Sequence, residues 1–187
     1  MTITTNKKSL EQIKKFFDKN DWKPLPFQIE SWEAYLNGEN GIIQVPTGCG
    51  KTYAALMGPL LKLNDCRKKS GLNILLITPL KALSRDLKNA IDSAAKYFDE
   101  EITVGIRNGD TSPYEKKKQI LNPPNILITT PESLSLLLSN KESKNIFKNL
   151  FSIIIDEWHE LMGSKRGNQC ELCLSWLRGN KKDLQIW

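Results

Sequence analysis

Short apolar runs alternate with amphipathic stretches along this chain of 187 residues. The runs are rich in isoleucine, leucine and valine, and the stretches between them carry apolar residues at helical spacing. Near-continuous apolar strands separated by helices predict a mostly parallel sheet with helices on both faces, an α/β fold. The predicted strands are residues 41–45, 73–78, 102–107, 125–130, 151–156 and 184–187, and the predicted helices are residues 9–19, 28–38, 51–63, 80–98, 131–138 and 168–178.

The ends of these elements carry recognisable signals. Ser9 is placed to cap the first helix, and Gly38 is placed to end the second. Residues 114–124, YEKKKQILNPP, fit either a charged helix or a loop with a solvated face. The N-terminal residues lack the apolar stretch of a signal peptide, and no apolar run approaches the roughly 20 residues that span a membrane. A cytoplasmic protein with no membrane partner is therefore expected.

The charge balance is basic, with a formal net charge of +6 at pH 7. A basic domain suits a polyanionic partner such as nucleic acid, although a solvated surface rich in lysine would give the same balance. Two of the four cysteines, Cys170 and Cys173, are three residues apart on a predicted helix. They are expected to pack inward as small apolar groups, because no second pair lies at the spacing of a zinc site.

A glycine-containing stretch, VPTGCGKT at residues 45–52, follows the first predicted strand. Gly48 and Gly50 permit a tight turn that aims backbone N–H groups at an anion, and the helix that begins at Lys51 adds the positive end of its dipole. Lys51 suits the β- and γ-phosphates of a nucleotide, and the Thr52 hydroxyl suits Mg²⁺. The stretch is a variant Walker A motif, because valine occupies the first glycine position of the strict pattern.

Two adjacent carboxylates, Asp156 and Glu157, end the fifth predicted strand. Nucleotide hydrolysis needs one carboxylate for Mg²⁺ and a base for the attacking water, which are the roles predicted for Asp156 and Glu157 respectively. Either residue alone would also fit a helix cap, but a cap explains neither their pairing nor the companion glycine turn. Because ligands bind at the carboxyl ends of strands in doubly wound sheets, the glycine turn and the acidic pair are expected to meet across neighbouring strands.

The stretches PTGCGKT (46–52) and DEWH (156–159) together resemble those of superfamily 2 DExH-box helicases. TPLKALSRD (78–86) resembles motif Ia, NGDT (108–111) the glycine-containing motif after the third strand, and TTPESL (129–134) motif Ib. DEWHELMGSKRG (156–167) resembles the Lhr-like helicases. Together with W-x-P-x-x-FQ at residues 22–28, it is most similar to the ligase-associated DEXH-box helicases of the DNA damage response.

This resemblance implies a RecA-like P-loop NTPase domain that uses ATP and Mg²⁺. It implies that the Gln28 amide reads the adenine edge, that Trp22 or Phe17 stacks on the base, and that His159 links the hydrolysis site to a neighbouring domain. The implied catalytic residues are Lys51, Asp156, Glu157 and His159, and the implied Mg²⁺ ligands are Thr52 and Asp156. The implied ATP-binding residues are Trp22, Gln28, Pro46, Thr47, Gly48, Cys49, Gly50, Lys51 and Thr52.

The resemblance also implies contacts to one strand of nucleic acid, with DNA favoured over RNA. Hydroxyl, cation and backbone N–H donors at these motifs would hold the sugar-phosphate backbone, so binding should be largely independent of sequence. Thr130 could instead simply cap a helix, and Arg85 could lie on a solvated face. The implied nucleic-acid-binding residues are Thr78, Pro79, Arg85, Gly109, Thr130, Pro131, Glu132, Lys165 and Arg166.

The expected organisation is an N-terminal helical region with the Gln28 motif at residues 1–40 and a first RecA-like domain at residues 41–187. The chain is expected to end before motif III and to lack the second RecA-like domain, which would be a partner, with DNA repair proteins as further partners. The expected function is that of an ATP-dependent DNA helicase or translocase. The 187 residues alone are expected to bind ATP but hardly to hydrolyse it. The alternatives are another P-loop ATPase and a non-catalytic binding module.

Overall fold

The computed structural model describes residues 3–65, 70–79 and 84–187, of which residues 3–8, 84 and 85 are described by their backbone alone. From residue 74 onward, one or two helices separate each strand from the next, in line with the predicted alternation of strands and helices. The helices are α1 Ile3–Lys19, α2 Pro26–Leu36, α3 Lys51–Asp65, α4 Ser84–Phe98, α5 Pro113–Leu121, α6 Pro131–Leu138, α7 Ser143–Ile146, α8 Trp158–Leu161 and α9 Lys165–Asn180. The strands are β1 Ile74–Ile77, β2 Val104–Arg107, β3 Ile126–Thr129, β4 Ser152–Ile155 and β5 Gln185–Ile186.

The described strands form one parallel sheet in the order β2-β3-β1-β4-β5. The register places the last residues of β1, β2 and β3, which are Ile77, Arg107 and Thr129, side by side. Ile77 also pairs with Ile155, the last residue of β4. The segments that follow these four strands therefore emerge along the same edge of the sheet.

Each face of the sheet is buried by its own group of helices. Ile74 and Leu76 of β1 contribute to a core with α1 to α4, whereas Leu75 and Ile77 contribute to a core with α6, α7 and α9. The alternation follows from the strand pleat, which sends successive side chains to opposite faces. The prediction that both faces are covered is confirmed. In the described part of the chain, no helix has the length and apolar character needed to cross a membrane.

The prediction of a buried strand at residues 41–45 is wrong. Within the described residues, the one backbone hydrogen bond that joins this segment to a strand runs from Gly41 N–H to the Ile186 carbonyl, at 3.2 Å. Ile42 is 87% exposed. An apolar run becomes a strand through the ladder it forms, and the neighbouring strand β5 comprises two residues, Gln185–Ile186. The segment therefore runs beside the sheet edge without joining the ladder.

The ends of several helices also differ from the prediction. Helix α1 begins at Ile3, so Ser9 lies inside it and does not cap it. Helix α9 begins three residues earlier than predicted, because the Ser164 side chain accepts a hydrogen bond from the Gly167 N–H and caps the helix there. Residues 114–124, whose sequence fits either a helix or a loop, contribute most of α5, which Ser112 caps. The short helices α7 and α8 are not anticipated by the apolar pattern.

Candidate nucleotide site and nucleic-acid groove

The phosphate-loop candidate, residues 46–50, forms a turn directly before α3. Gly48 and Gly50 have φ angles of +82° and +81°, a left-handed conformation in which L side chains are strained. The Gly50 carbonyl accepts the first hydrogen bond of the helix from Ala54 N–H at 3.2 Å. Pro46, Thr47 and Gly48 are exposed. The loop thus ends at a helix N-terminus, which suits an anion.

Gln28 joins the second helix to this loop. Its Oε1 accepts a hydrogen bond from Leu25 N–H at 2.9 Å, and its Nε2 donates to the Gly50 carbonyl at 3.1 Å. Gln28 is 3% exposed, so its amide lies against the phosphate loop and little of it faces solvent. A Cβ at position 50 would lie 2.7 Å from Nε2, so glycine is also required there for this close approach. The contact with adenine that the resemblance implies stays a prediction.

The two aromatic candidates for base stacking differ in exposure. Phe17 is 3% exposed within the core, whereas Trp22 is 41% exposed. The Trp22 ring packs against Tyr53 of α3 with 5.3 Å between centroids. Of the two residues, Trp22 is therefore the one with ring surface available to a base near the start of α3.

The acidic pair follows β4 at the same edge of the sheet. Asp156 N–H donates to the Ile77 carbonyl at 2.8 Å, which extends the pairing of β4 with β1 by one residue. Glu157 has φ 48° and ψ 46°, in the left-handed region that non-glycine residues rarely occupy. Strained backbone of this kind is concentrated at functional sites.

The glycine turn and the acidic pair meet. Lys51 Nζ lies 3.5 Å from Glu157 Oε1, and both side chains are mostly buried. The residues before Lys51 do not lie on a strand next to β4, because β5 is the neighbour of β4 on that side. The predicted meeting is therefore present, but the predicted route across neighbouring strands is wrong.

His159 lies beside the same glutamate. Its Nδ1 is 3.3 Å from Glu157 Oε2, and its Nε2 is 3.4 Å from Glu160 Oε1. The His159 side chain is 67% exposed. It connects the acidic pair to the surface, which is compatible with the linking role that the resemblance implies.

Asp156 has an environment that disfavours its charge. Burial raises the pKa of the Asp156 carboxyl, and the Glu157 carboxylate raises this pKa further. The backbone N–H of Glu157 and the charges of Lys51 and His159 oppose this rise without cancelling it. A carboxylate whose charge is disfavoured in this way gains the most from a nearby cation.

Asp156→Asn is expected to raise the melting temperature of the nucleotide-free chain at pH 7 by about 1–4 °C, because it removes this disfavoured charge. Since the folded pKa lies above the unfolded value, the wild type becomes more stable as the pH falls through its folded pKa toward the unfolded one. The difference between the variant and the wild type should therefore shrink on acidification. Calorimetry at pH 7 and pH 5 tests this, with the exposed Asp183→Asn as control, and a variant less stable than the wild type at pH 7 would contradict it.

The donor set fits Mg²⁺ bound together with a nucleotide. Mg²⁺ prefers oxygen ligands and is usually held by one or two protein groups plus phosphates and water. Thr52 follows Lys51 in the first turn of α3, and Asp156 follows β4. Within the described residues, no group of three or more histidine, cysteine, aspartate and glutamate side chains could hold a metal alone. Phosphate oxygens would therefore have to complete the coordination.

A groove of about 570 Å³ opens beyond the ends of β2 and β3. Five of the residues predicted to bind nucleic acid line it, together with four that were not predicted to bind nucleic acid. The predicted ones are Pro79, Gly109, Thr130, Glu132 and Arg166, and the others are Arg107, Lys116, Ser133 and Leu136.

The remaining predicted nucleic-acid contacts have separate positions. Thr78 and Pro131 are buried, and Lys165 is exposed at the start of α9 outside the groove lining. The Arg85 side chain and residues 80–83 of motif Ia lie outside the described residues. Thr130 is 1% exposed, and its Oγ1 accepts a hydrogen bond from Ser133 N–H at 3.4 Å. Thr130 thus caps α6, which is the alternative role considered for it.

Arg166 joins three segments at the groove. Its guanidinium pairs with the Glu132 carboxylate, with Nη2 3.3 Å from Oε2, and Nη2 also donates to the Pro79 carbonyl at 2.8 Å. Burial opposes ionisation of Glu132, but the hydrogen bonds and charge it receives, chiefly from Arg166, lower the pKa of Glu132 overall. The segments after β1, β3 and β4 are therefore tied together by one bidentate pair.

The cysteines behave as predicted in the described residues. Cys170 and Cys173 are 0% and 5% exposed and pack in the core beneath α9. Burial, with smaller contributions from Cys173 and Glu171, raises the pKa of Cys170 to about 12, so its thiol stays protonated. Cys49 is half-buried in the phosphate loop, and Cys66 lies outside the described residues.

The family model of the DEAD/DEAH box helicases matches residues 25–187. The chain belongs to the DEAD/DEAH box helicase family. This helicase domain is 36% identical over 163 residues to "Lhr helicase/probable uracil glycosylase" of Mycolicibacterium smegmatis, covering 81% of the chain and 11% of that protein. It is 42% identical over 140 residues to "ATP-dependent helicase Lhr-Core" of Sulfolobus acidocaldarius, covering 70% of the chain and 16% of that protein.

A solved structure supports the same assignment. The helicase domain superposes on the structure of Mycobacterium smegmatis helicase Lhr bound to ssDNA and AMP-PNP with a TM-score of 0.84 and 32% identity. The match covers 95% of this chain and 23% of that one. The predicted RecA-like fold and the resemblance to Lhr-like helicases are confirmed. The chain spans between 11% and 23% of the length of these relatives.

Proposed function

We propose that this helicase domain binds ATP with Mg²⁺ at the phosphate loop and works as the first motor domain of an ATP-dependent DNA helicase or translocase. The observation that carries the proposal is the 3.5 Å approach of Lys51 to Glu157. It joins a helix N-terminus with a glycine turn to an acidic pair, and those groups together serve phosphoryl transfer. When bound, Mg²⁺ would neutralise charge on the β- and γ-phosphates.

The residues of the site have separable roles in this proposal. The N–H groups of the loop and Lys51 bind the phosphates, while Thr52 and Asp156 hold Mg²⁺. Glu157 orients the attacking water and takes its proton. Trp22 offers ring surface to the base, and Gln28 couples the second helix to the loop through the Gly50 carbonyl.

The groove is proposed to hold one strand of nucleic acid by its backbone. Its lining carries three cations, Arg107, Lys116 and Arg166, against one carboxylate, Glu132. Support for DNA comes from the solved Lhr structure, which is described as bound to ssDNA and AMP-PNP. Contacts to phosphates carry no base information, so binding should be largely independent of sequence.

Arg166 gives the two sites a physical connection. It stands seven residues after His159 and contacts both Pro79 and Glu132 at the groove. A displacement of the 156–159 segment on nucleotide binding would therefore be transmitted to the groove through α8 and the start of α9. This arrangement favours a motor over a P-loop enzyme that acts on small molecules or a purely binding module.

The wider expectations remain predictions. They comprise the division at residue 40, a second RecA-like domain that completes the ATP site, DNA repair proteins as partners and a cytoplasmic location.

The proposal is tested by equilibrium binding of a fluorescent ATP analogue to the chain with Mg²⁺ and with EDTA. Chelation of Mg²⁺ is expected to weaken binding by about tenfold or more, because the phosphates then lose the ion that links them to Thr52 and Asp156. Asp156→Asn should lose this Mg²⁺-dependent gain and keep the affinity measured in EDTA. Asp183→Asn is the control, and equal affinity with and without Mg²⁺ in the wild type would contradict the proposed site.

A further inference from the structure

Arg107, the last residue of β2, is a buried cation at the groove. It is 7% exposed and lines the cavity together with Gly109 and Lys116. In the described part of the chain, both of its side-chain hydrogen bonds are made by one nitrogen. Nη1 donates to the Lys116 carbonyl at 2.9 Å and to Gln119 Oε1 at 3.4 Å.

The other two nitrogens of this guanidinium, Nε and Nη2, make no hydrogen bond within the described residues and are not fully buried. An arginine has five N–H donors in a planar fork. No Arg107 nitrogen is among the described side-chain atoms that are fully buried without a hydrogen-bond partner. Nε and Nη2 are therefore not sealed in the apolar interior, and the residue to which they belong lines the groove.

The charge of Arg107 is not matched within the protein. Among the described residues, no carboxylate lies within 4.0 Å of its guanidinium. Burial lowers the pKa of Arg107 from its ordinary value, as expected for a cation that has lost hydration. Arg166 across the same groove differs, because Glu132 already neutralises it. A buried charge without a partner is costly unless a ligand completes it.

The position of Arg107 is fixed before any ligand arrives. Thr129 Oγ1 donates to the Arg107 carbonyl at 2.8 Å and anchors its backbone at the end of the sheet. Gln119 Nε2 donates to the Ile106 carbonyl at 2.9 Å, which turns Gln119 Oε1 toward the guanidinium. A cation held in this way loses little conformational entropy on binding.

We propose that Arg107 binds a backbone phosphate of single-stranded nucleic acid in the groove, and that it is the groove's main phosphate ligand in place of Arg166. The inference rests on the proposed function. A guanidinium fork matches the geometry of phosphate oxygens, and Lys116 beside it adds a second positive charge. A purely structural tie between β2 and α5 would need one neutral donor, whereas this site keeps a charged group with donors to spare.

The test measures binding of fluorescein-labelled oligo(dT) by anisotropy across a range of KCl concentrations. Arg107→Gln is expected to weaken binding by about 10- to 100-fold. It should also reduce the slope of log affinity against log salt by about 0.7, the value for one phosphate of a single strand. Arg107→Lys keeps the charge and should keep the slope while losing part of the affinity. Lys117→Gln removes an exposed charge from the same helix outside the groove lining and should match the wild type.

A second measurement separates the two proposals. Inorganic phosphate is titrated into the wild-type chain while NMR follows the Arg107 Nε–H resonance, which is expected to shift. If the wild type binds oligo(dT) and Arg107→Gln melts earlier but keeps the wild-type slope, Arg107 is structural and the inference is overturned while the proposed function stands. If oligo(dT) does not bind but phosphate shifts the resonance, the anion site stands and nucleic-acid binding fails. If neither ligand has an effect, both proposals fall.

Should Arg107→Gln fail to fold, the outcome still follows from the other two measurements. The phosphate titration uses the wild type, and Arg107→Lys preserves the donor to Lys116. A slope for Arg107→Lys that falls as far as the loss of one phosphate contact would contradict a role based on charge.

Discussion

Lys51→Ala is expected to weaken ATP binding by about 10- to 100-fold, whereas Glu157→Gln should leave ATP binding intact or strengthen it. A charge-assisted hydrogen bond to phosphate is worth about 1.5–3 kcal/mol, which sets the first effect. Lys51 Nζ lies 3.5 Å from Glu157 Oε1, so incoming phosphates compete with this carboxylate for the ammonium. Glutamine at position 157 removes the competitor.

The same two variants should differ in turnover. Glu157→Gln removes the proposed base and is expected to lower hydrolysis by about 10²- to 10⁴-fold, in a chain that also carries the second RecA-like domain. Titration with a fluorescent ATP analogue gives affinity, and phosphate release gives turnover. Glu160→Gln is the matched control, because Glu160 contacts His159 as Glu157 does, at 3.4 Å against 3.3 Å. Equal loss of ATP binding in the Lys51 and Glu157 variants would contradict the assigned roles.

The 187-residue chain by itself is expected to hydrolyse ATP about 10³- to 10⁵-fold more slowly than the same domain joined to a second RecA-like domain. This factor is the typical contribution of an arginine finger. Among the described arginine side chains, none forms an ion pair with Asp156 or Glu157, and Arg107 and Arg166 are engaged at the groove. Within the described part of the site, Lys51 and a protonated His159 are therefore the cations available to stabilise the charge that develops during phosphoryl transfer.

Steady-state ATPase measurements with oligo(dT) test this expectation. The fluorescent analogue must still bind, so that low turnover reflects an incomplete site and not an unfolded chain. Addition of the second domain in trans should restore part of the rate. Turnover of several per second by the 187 residues alone, typical of complete enzymes, would show that no further domain is needed.

Several elements were predictable because their signals are local. Helix α6 has the predicted bounds, since Thr130 caps it and Pro131 occupies its first turn. Strands β1, β3 and β4 lie within the predicted apolar runs, which are buried on both faces. Residues 41–45 have a similar composition but did not form a strand, because strand formation depends on a neighbouring backbone that no local pattern reveals.

The same difference between local motifs and contacts of distant residues applies to the candidate site. The phosphate loop and the acidic pair could be predicted, because each is a contiguous motif whose chemistry is legible in a few residues. The pairing of Arg166 with Glu132 joins residues 34 positions apart and depends on the register of β1, β3 and β4. Arg107 has no motif of its own, although its position at the end of a strand, two residues before Gly109, was a usable signal.

The left-handed backbone of Glu157 has a consequence for how this protein could change. A glycine there would relieve roughly 1–2 kcal/mol of conformational energy. Selection of variants for folding stability alone should therefore favour glycine or asparagine at position 157. A library of variants screened only for thermal stability would therefore enrich folded chains that still bind nucleotide but no longer hydrolyse it.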